Sequence, residues 1–478
     1  MLSQELKCDL NLMLENKHEF YYNLDTNKYD INTFNNIISE LNLECISIEK
    51  DNNYLIRKSM KDENYIDLKI CVSGNVDSGK STTIGVLTSG ELDNGRGKTR
   101  TAIFNYPHER ETGRSSSVSL EIMGYKSDGN VFIPEKQQKK SWPNIIKNSS
   151  KIVTFYDLCG HEKYLKTTIY GLSLSAPDFT LVMVGANMGI THMTKEHIFA
   201  CMALKIPFII IITKIDLCPA NILKQTEKDI KKLVKTYNSH KIIKEVKEYH
   251  DIVEIIKSIN DIKQVPLIKI SNVSGKNVEN LKKFLNLLPK RTFYQTSQSV
   301  EFLIDRIYQI TGCGTVLSGL LKSGSVKIGD VLNMGPDKLG NYIEIKVRSI
   351  QCKKIPLEVA EAGYYVCFGI KRINKNLIKK GMVLVSDQNK ISVRTFWANV
   401  IILKSHSTTI RLNYQPMLHI NNIRQCAKIV EIDNGKNILN LGDKTRVKFN
   451  FVSRPVYIKS GDKIIFREGR LRGIGNVE

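Results

Sequence analysis

The chain has 478 residues, 42% of them hydrophobic, and its 70 Lys and Arg outnumber 48 Asp and Glu for a formal net charge of +22. Single cores rarely grow past about 250 to 300 residues, so more than two domains are expected; no apolar run approaches the roughly 18 to 20 residues that span a bilayer, and the 10 cysteines stand singly with no C-x-x-C pair, against a zinc site or a disulfide framework. The positive excess is not the mild balance of a metabolic enzyme and points to a polyanionic partner such as nucleic acid.

The N-terminus opens Met1-Leu-Ser-Gln-Glu-Leu-Lys7, without a secretory pattern, so a reduced, cytoplasmic protein with no membrane partner is expected. Residues 1–66 read as a small α/β region. A helix is expected over Leu2 to His18, an amphipathic helix over Asp30 to Leu43, and a hairpin from Glu44–Glu49 and Tyr54–Arg57. No chemical motif appears there.

Residues 67–290 alternate strands and helices, which predicts a mostly parallel sheet with helices on both faces. The strand Leu68–Ser73 runs into Gly74-Asn75-Val76-Asp77-Ser78-Gly79-Lys80-Ser81, a phosphate-binding loop of the form G-x-x-x-x-G-K-S, and a helix follows from Thr82. Gly74 and Gly79 permit the tight turn that points backbone N–H groups at phosphate oxygens. Lys80 supplies charge to the β- and γ-phosphates and Ser81 a hydroxyl to Mg²⁺. Residues 126–150 read as a basic, solvated excursion.

The next strand, Lys151–Tyr156, delivers Asp157-Leu-Cys-Gly160-His161. Asp157 is expected to hold Mg²⁺ through water, and the Gly160 N–H to bond the γ-phosphate. His161 stands where a water-orienting residue belongs. The buried strand Pro207–Thr213 leads into Thr213-Lys214-Ile215-Asp216. The Asp216 carboxylate can accept the ring N–H and the exocyclic amine of guanine, a donor pair that adenine lacks, and Lys214 would lie along the base plane. Residues 221–263 read as surface helix. One strand further, Ser271-Asn272-Val273 offers a backbone N–H to the guanine carbonyl. The ordered series selects GTP and GDP as ligands.

Past Leu288-Pro289 the pattern changes to short strands with glycine turns, so residues 298–388 and 391–478 are each expected to form a β-barrel.

These motifs resemble those of translational GTPases, the superfamily of elongation factor Tu and elongation factor 1 alpha. Gly74 to Thr82, Gly90-Glu-Leu-Asp-Asn-Gly-Arg-Gly97, His108-Glu-Arg-Glu-Thr-Gly-Arg-Ser-Ser-Ser-Val118, Gly160 to Thr168, Met193-Thr-Lys-Glu-His197 and Thr213 to Ile222 are closer still to the GTP-binding protein 1 and 2 branch. The resemblance implies a GTPase of slow intrinsic turnover in which Lys80, Gly160 and His161 serve catalysis. It adds Ser115 as the switch hydroxyl on Mg²⁺ and Asp77 as a residue that helps hold a monovalent cation. It makes Val76 one side of an apolar gate before the histidine, opposite Arg114, where isoleucine is usual. Thr213 replaces the usual asparagine, which is expected to weaken the brace of the base pocket. Cys159 replaces proline or alanine, either neutrally or as an oxidation-sensitive position. The Gly-x-Gly-Thr-Val-x-x-Gly run at 312–319 resembles domain two of the elongation factors, and Phe466 to Gly475 the end of domain three. There Arg467, Arg470 and Arg472 would meet the T-stem of a tRNA. The resulting expectation is a monomeric switch acting with aminoacyl-tRNA or the ribosome; a GTP-regulated adaptor in mRNA surveillance or decay is the second reading.

Overall fold

A computed structural model of the chain describes all residues except 1, 15–18, 27, 49–51, 59–64, 105–108, 110–114, 116, 135–140, 238–239, 260–262, 293, 313, 403–408, 434, 436 and 469. It divides into two compact units, Met1–Thr168 with Pro177–Arg291, and Ile169–Ala176 with Thr292–Glu478.

The first unit begins with α1 (Leu2–Leu14), β1 (Glu19–Asn23), α2 (Ile31–Glu40), β2 (Leu43–Ser47) and β3 (Asn53–Lys58). The strands form an antiparallel sheet in the order β1-β3-β2. Asp30 starts α2 by accepting the Thr33 N–H at 2.8 Å, an N-cap that satisfies an otherwise unpaired donor. Leu6, Leu10, Phe20, Phe34, Ile37 and Ile56 close this small core. The helix expected to run to His18 is described only to Leu14, and β1 was not anticipated.

A larger sheet follows from β4 (Ile66–Gly74), α3 (Lys80–Ser89), β5 (Ser119–Tyr125), β6 (Val131–Phe132), α4 (Trp142–Lys147), β7 (Lys151–Asp157), α5 (Leu165–Ser175), β8 (Phe179–Gly185), α6 (His192–Ala203), β9 (Phe208–Thr213), α7 (Ala220–Tyr237), β10 (Ile242–Val246), α8 (Tyr249–Lys257), β11 (Gln264–Lys269) and α9 (Val278–Leu287). Its eight strands run in the order β10-β11-β9-β8-β4-β7-β5-β6. Pairing is parallel from β10 to β7 and antiparallel at β5 and β6. β4, β7, β8 and β9 are buried along their whole length, as strands covered on both faces must be. The phosphate loop therefore leaves the carboxyl end of a central strand, between α3 and the ends of β7 and β9.

Two readings are corrected here. The excursion at 126–150 is not simply a solvated loop: it contains β6 and α4, and α4 buries Ile145 and Ile146. The stretch 221–263 is interrupted by β10, whose Ile-Ile-Lys-Glu-Val sequence pairs with β11.

In the second unit, strands Val331–Gly335, Val383–Val385, Glu301–Ile310, Gly314–Ser323, Tyr365–Ile370 and Ile343–Cys352 pair in that order, and the last pairs back with the first. A second closed barrel comprises Thr395–Ile402, Lys444–Phe451, Ile423–Asp433, Met417–Ile420, Lys463–Glu468 and Arg470–Val477. Closure removes the exposed strand edges. Each barrel has its own apolar core.

Candidate nucleotide-binding site

The carboxyl ends of β4, β7 and β9 surround a cavity of about 310 Å³. Its floor is the phosphate loop, in which Ser78 Oγ donates to Asn75 O at 2.8 Å and Asp77 takes a left-handed φ of +57°. The buried Lys80 donates from Nζ to Asn75 O at 2.7 Å. Burial lowers its pKa, against the raising effect of the Asp157 charge. Val76, Asp77, Gly79, Lys80, Ser81 and Thr82 all line the cavity.

Three residues expected at a metal converge on one point. Ser81 Oγ donates to Asp157 Oδ2 at 2.5 Å, Ser115 Oγ donates to the same oxygen at 3.3 Å, and the two hydroxyls lie 3.1 Å apart. Burial raises the pKa of Asp157, only partly offset by Lys80 and by the two serine donors. Its other oxygen, Oδ1, is buried and has no hydrogen-bond partner among the described residues. An all-oxygen donor set around a desolvated carboxylate fits a hard divalent cation such as Mg²⁺. Gly160 closes this side: a Cβ there would collide with Lys80 Nζ and sit 2.7 Å from Gly74 O.

His161 also lines the cavity and is exposed. It caps the short turn Glu162–Tyr164, its Nδ1 accepting the Lys163 N–H at 3.1 Å. Since Nδ1 accepts, the neutral ring carries its proton on Nε2. Arg114 lies outside the described residues, so the structure describes no partner for Val76 across the gate. Cys159 is buried, and burial together with the Asp157 charge pushes its thiol up to about 12. Oxidation proceeds through the thiolate, so burial of this thiol favours the neutral reading.

On the base side, Lys214, Asp216, Asn272 and Val273 line the cavity. Ser271 Oγ accepts the N–H groups of Val273 and Ser274 at 3.3 and 3.0 Å, and Asn272 Nδ2 donates to Thr83 Oγ1 at 2.8 Å. Thr213, in the place of the usual asparagine, still makes one brace. Its Oγ1 donates to Ser78 O at 2.8 Å, so threonine supplies a direct brace between the base strand and the phosphate loop.

Sequence reasoning missed one wall. Asp93, Gly95, Arg96, Gly97 and Arg100 line the cavity; Asp93-Asn-Gly-Arg-Gly97 is a glycine-punctuated turn that had been given no role. Far from the cavity in sequence, Arg467 pairs with Met417 and Leu471 in the second barrel. Arg470 and Arg472 belong to the adjoining strand, and their side chains lie outside the described set.

Residues 67–298 match the family model described as elongation factor Tu GTP binding domain. GTP-binding protein 1 of Xenopus laevis is 42% identical over 431 residues, 90% of this chain and 65% of that protein. GTP-binding protein 2 of Homo sapiens is 39% identical over 429 residues, 88% of this chain and 71% of that one. Elongation factor 1-alpha of Pyrococcus horikoshii is 28% identical over 412 residues, covering 83% and 88%. The chain thus spans 65% and 71% of the length of the first two relatives. Among solved structures, translation elongation factor SelB from Methanococcus maripaludis, in complex with the GTP analogue GppNHp, superposes with a TM-score of 0.62 at 21% identity, over 87% of this chain and 80% of that one. A bacterial selenocysteine-specific elongation factor gives 0.62 at 19%, over 86% and 58%. At those identities the structural likeness concerns the fold.

Proposed function

The chain belongs to the family of translational GTPases built on the elongation factor Tu GTP-binding domain, and from that premise we propose that it binds GTP with Mg²⁺ and hydrolyses it to GDP and phosphate in a switch cycle that serves RNA or the ribosome. The observation that carries this reading is the meeting of Ser81, Ser115 and Asp157 at one carboxylate oxygen. Ser115 reaches that point from a loop separate from the phosphate loop, as a residue does when its position reports on the γ-phosphate.

The parts divide the work. Backbone N–H groups of residues 75–80 cradle the phosphates, and Lys80 adds charge at the β- and γ-positions. Asp216 selects guanine through its two N–H donors, with Lys214 along the base and the Val273 backbone at its carbonyl edge. Ser81 and Ser115, with Asp157 behind them, would hold Mg²⁺, which would supply charge neutralisation at the phosphates. Gly160 offers its N–H to the γ-phosphate. His161, with Nδ1 engaged by Lys163, presents Nε2 to orient the attacking water by donating a hydrogen bond, so it positions rather than deprotonates. Asp77 adds a place for a monovalent cation.

The net charge of +22 supports structured RNA as partner; an aminoacyl-tRNA or the ribosome is the form proposed, with Arg467, Arg470 and Arg472 on the tRNA side. A monomeric, cytoplasmic protein completes the reading; among the described residues no helix is long and apolar enough to cross a membrane. The experiment is GTP hydrolysis by the full chain with and without ribosomes, tRNA and unrelated RNA. Stimulation by ribosomes or tRNA supports the translation-type cycle. Nucleotide-dependent partner binding with turnover unmoved by any of them would favour the adaptor in mRNA surveillance or decay.

A further inference from the structure

The loop after α3 carries two arginines into the cavity, Arg96 and Arg100, and several contacts fix it there. The buried Asp93 carboxylate accepts from Gly95 N at 2.9 Å and Gly97 N at 3.0 Å on one oxygen, and from Thr99 N and Oγ1 at 3.0 Å each on the other. Burial works against its charge, but these donors hold the carboxyl below its ordinary pKa. Both ends of the loop are tied to walls of the nucleotide site. Asp93 N–H donates to Asn272 O at 2.9 Å. Thr99 lies directly on α3, where a Cβ added at Gly85 would sit 2.5 Å from Thr99 O. Gly97 holds a φ of +84°, and a Cβ there would collide with Arg100 Nε and lie 2.9 Å from its Cζ. The Arg100 guanidinium thus rests against the bare backbone of Gly97.

Among the described residues neither guanidinium has a carboxylate partner; Glu91, the nearest acid in the loop besides Asp93, pairs with Lys98 at 3.1 Å. The cavity lining thus sets Lys80, Arg96, Arg100 and Lys214 against the carboxylates of Asp77, Asp93 and Asp216, one positive charge in excess, which a bound anion would offset. The anchors of the loop are Thr99 on α3 and Asp93 on Asn272, not the Gly160–His161 turn. We infer that Arg96 and Arg100 form a cationic clamp on the α- and β-phosphates of the bound guanine nucleotide, holding GDP and GTP alike and taking no part in transfer of the γ-phosphate. Arginine suits the task because its planar fork bonds two phosphate oxygens at once.

The inference rests on the GTP-binding reading and is tested separately from it. Dissociation of fluorescent GDP and of fluorescent GppNHp is measured in Mg²⁺ for the full chain, Arg96→Ala, Arg100→Ala, the double variant and Arg100→Lys, with thermal unfolding of each as a fold control. Each alanine should weaken both nucleotides by a similar factor, on the order of tenfold, as for loss of a charge-assisted hydrogen bond. The double variant should lose more, and Arg100→Lys should recover part. If all variants hold both nucleotides as the unmodified chain does, the clamp is wrong while the GTPase reading stands. If GDP affinity is intact but hydrolysis collapses, the arginines act on the γ-phosphate and the inference is again overturned. If the unmodified chain holds no guanine nucleotide, the GTPase reading fails first.

Discussion

Ser115 Oγ lies 3.1 Å from Ser81 Oγ, although 34 residues separate them, and both donate to Oδ2 of Asp157. A hydroxyl from the phosphate loop and one from a separate switch segment thus share a carboxylate that burial disfavours as an anion.

The two serines should fail differently. On the proposed metal site Ser81→Ala removes a ligand that would serve both nucleotides, so GDP and GTP should each need more Mg²⁺ for tight binding. Ser115→Ala should spare GDP and weaken only the GTP form, because in the proposed cycle its position reports on the γ-phosphate. Magnesium titrations of the release of fluorescent GDP and GppNHp distinguish these outcomes; identical behaviour of the two variants would place Ser115 outside the metal shell.

Thr213 braces the phosphate loop by donating to Ser78 O at 2.8 Å. Thr213→Ala leaves that buried carbonyl without the hydroxyl, at a cost of about 1 to 3 kcal/mol. Release of GDP should therefore quicken by roughly 5- to 150-fold, the same energy expressed as a rate. Thr213→Ser keeps the hydroxyl and should release GDP close to the unmodified rate.

Glu19 joins the small N-terminal sheet to the large one. It accepts Arg57 Nε at 2.9 Å and Lys151 Nζ at 2.8 Å, all three side chains being buried. Burial raises the pKa of Glu19, but the two cations outweigh it and hold the carboxyl below its usual 4.5. The folded value is depressed, so the stabilisation is fully present above the unfolded pKa and is lost as pH falls through the folded one. Glu19→Gln strands two buried cations and should destabilise the first unit by about 3 to 5 kcal/mol. Urea unfolding at neutral pH measures that loss, and the variant should show a weaker decline of stability between neutral and acidic pH than the unmodified chain.

What was legible in the sequence follows from how local each signal is. Gly74 to Ser81 is contiguous, and its spacing carries the chemistry, so the floor of the site could be read directly. Asp157 and Asp216 were legible as the ends of apolar strands. Ser115 has no pattern of its own and emerged only through family resemblance. The brace from Thr213 spans 135 residues and exists only once β9 lies beside β4. Strand β10 was hidden because its Lys-Glu pair continues the helical texture of α7. Strand β1 was hidden because Glu19 looks like a solvated charge until Arg57 and Lys151 are brought to it. The Arg96 and Arg100 wall escaped for a similar reason: only the folded turn around Asp93 brings both into the cavity.

RNA affinity, if it rests on the +22 charge, should fall steeply with salt as phosphate contacts release counterions. Mobility-shift titrations from low to physiological salt measure the slope. Charge reversal at Arg470 and Arg472 should make it shallower while leaving GTP binding intact; a flat salt dependence in the unmodified chain would remove RNA from the account.

The most direct test of the central claim is phosphate release from saturating GTP by the unmodified chain and His161→Ala, side by side, under the RNA or ribosome condition that stimulates turnover most. The account predicts that both bind GTP with nearly equal affinity, and that the variant loses about 100-fold or more of the stimulated rate, as expected when a water-orienting group is removed. Equal rates for the two proteins, or equal turnover of ATP and GTP by the unmodified chain, would contradict it.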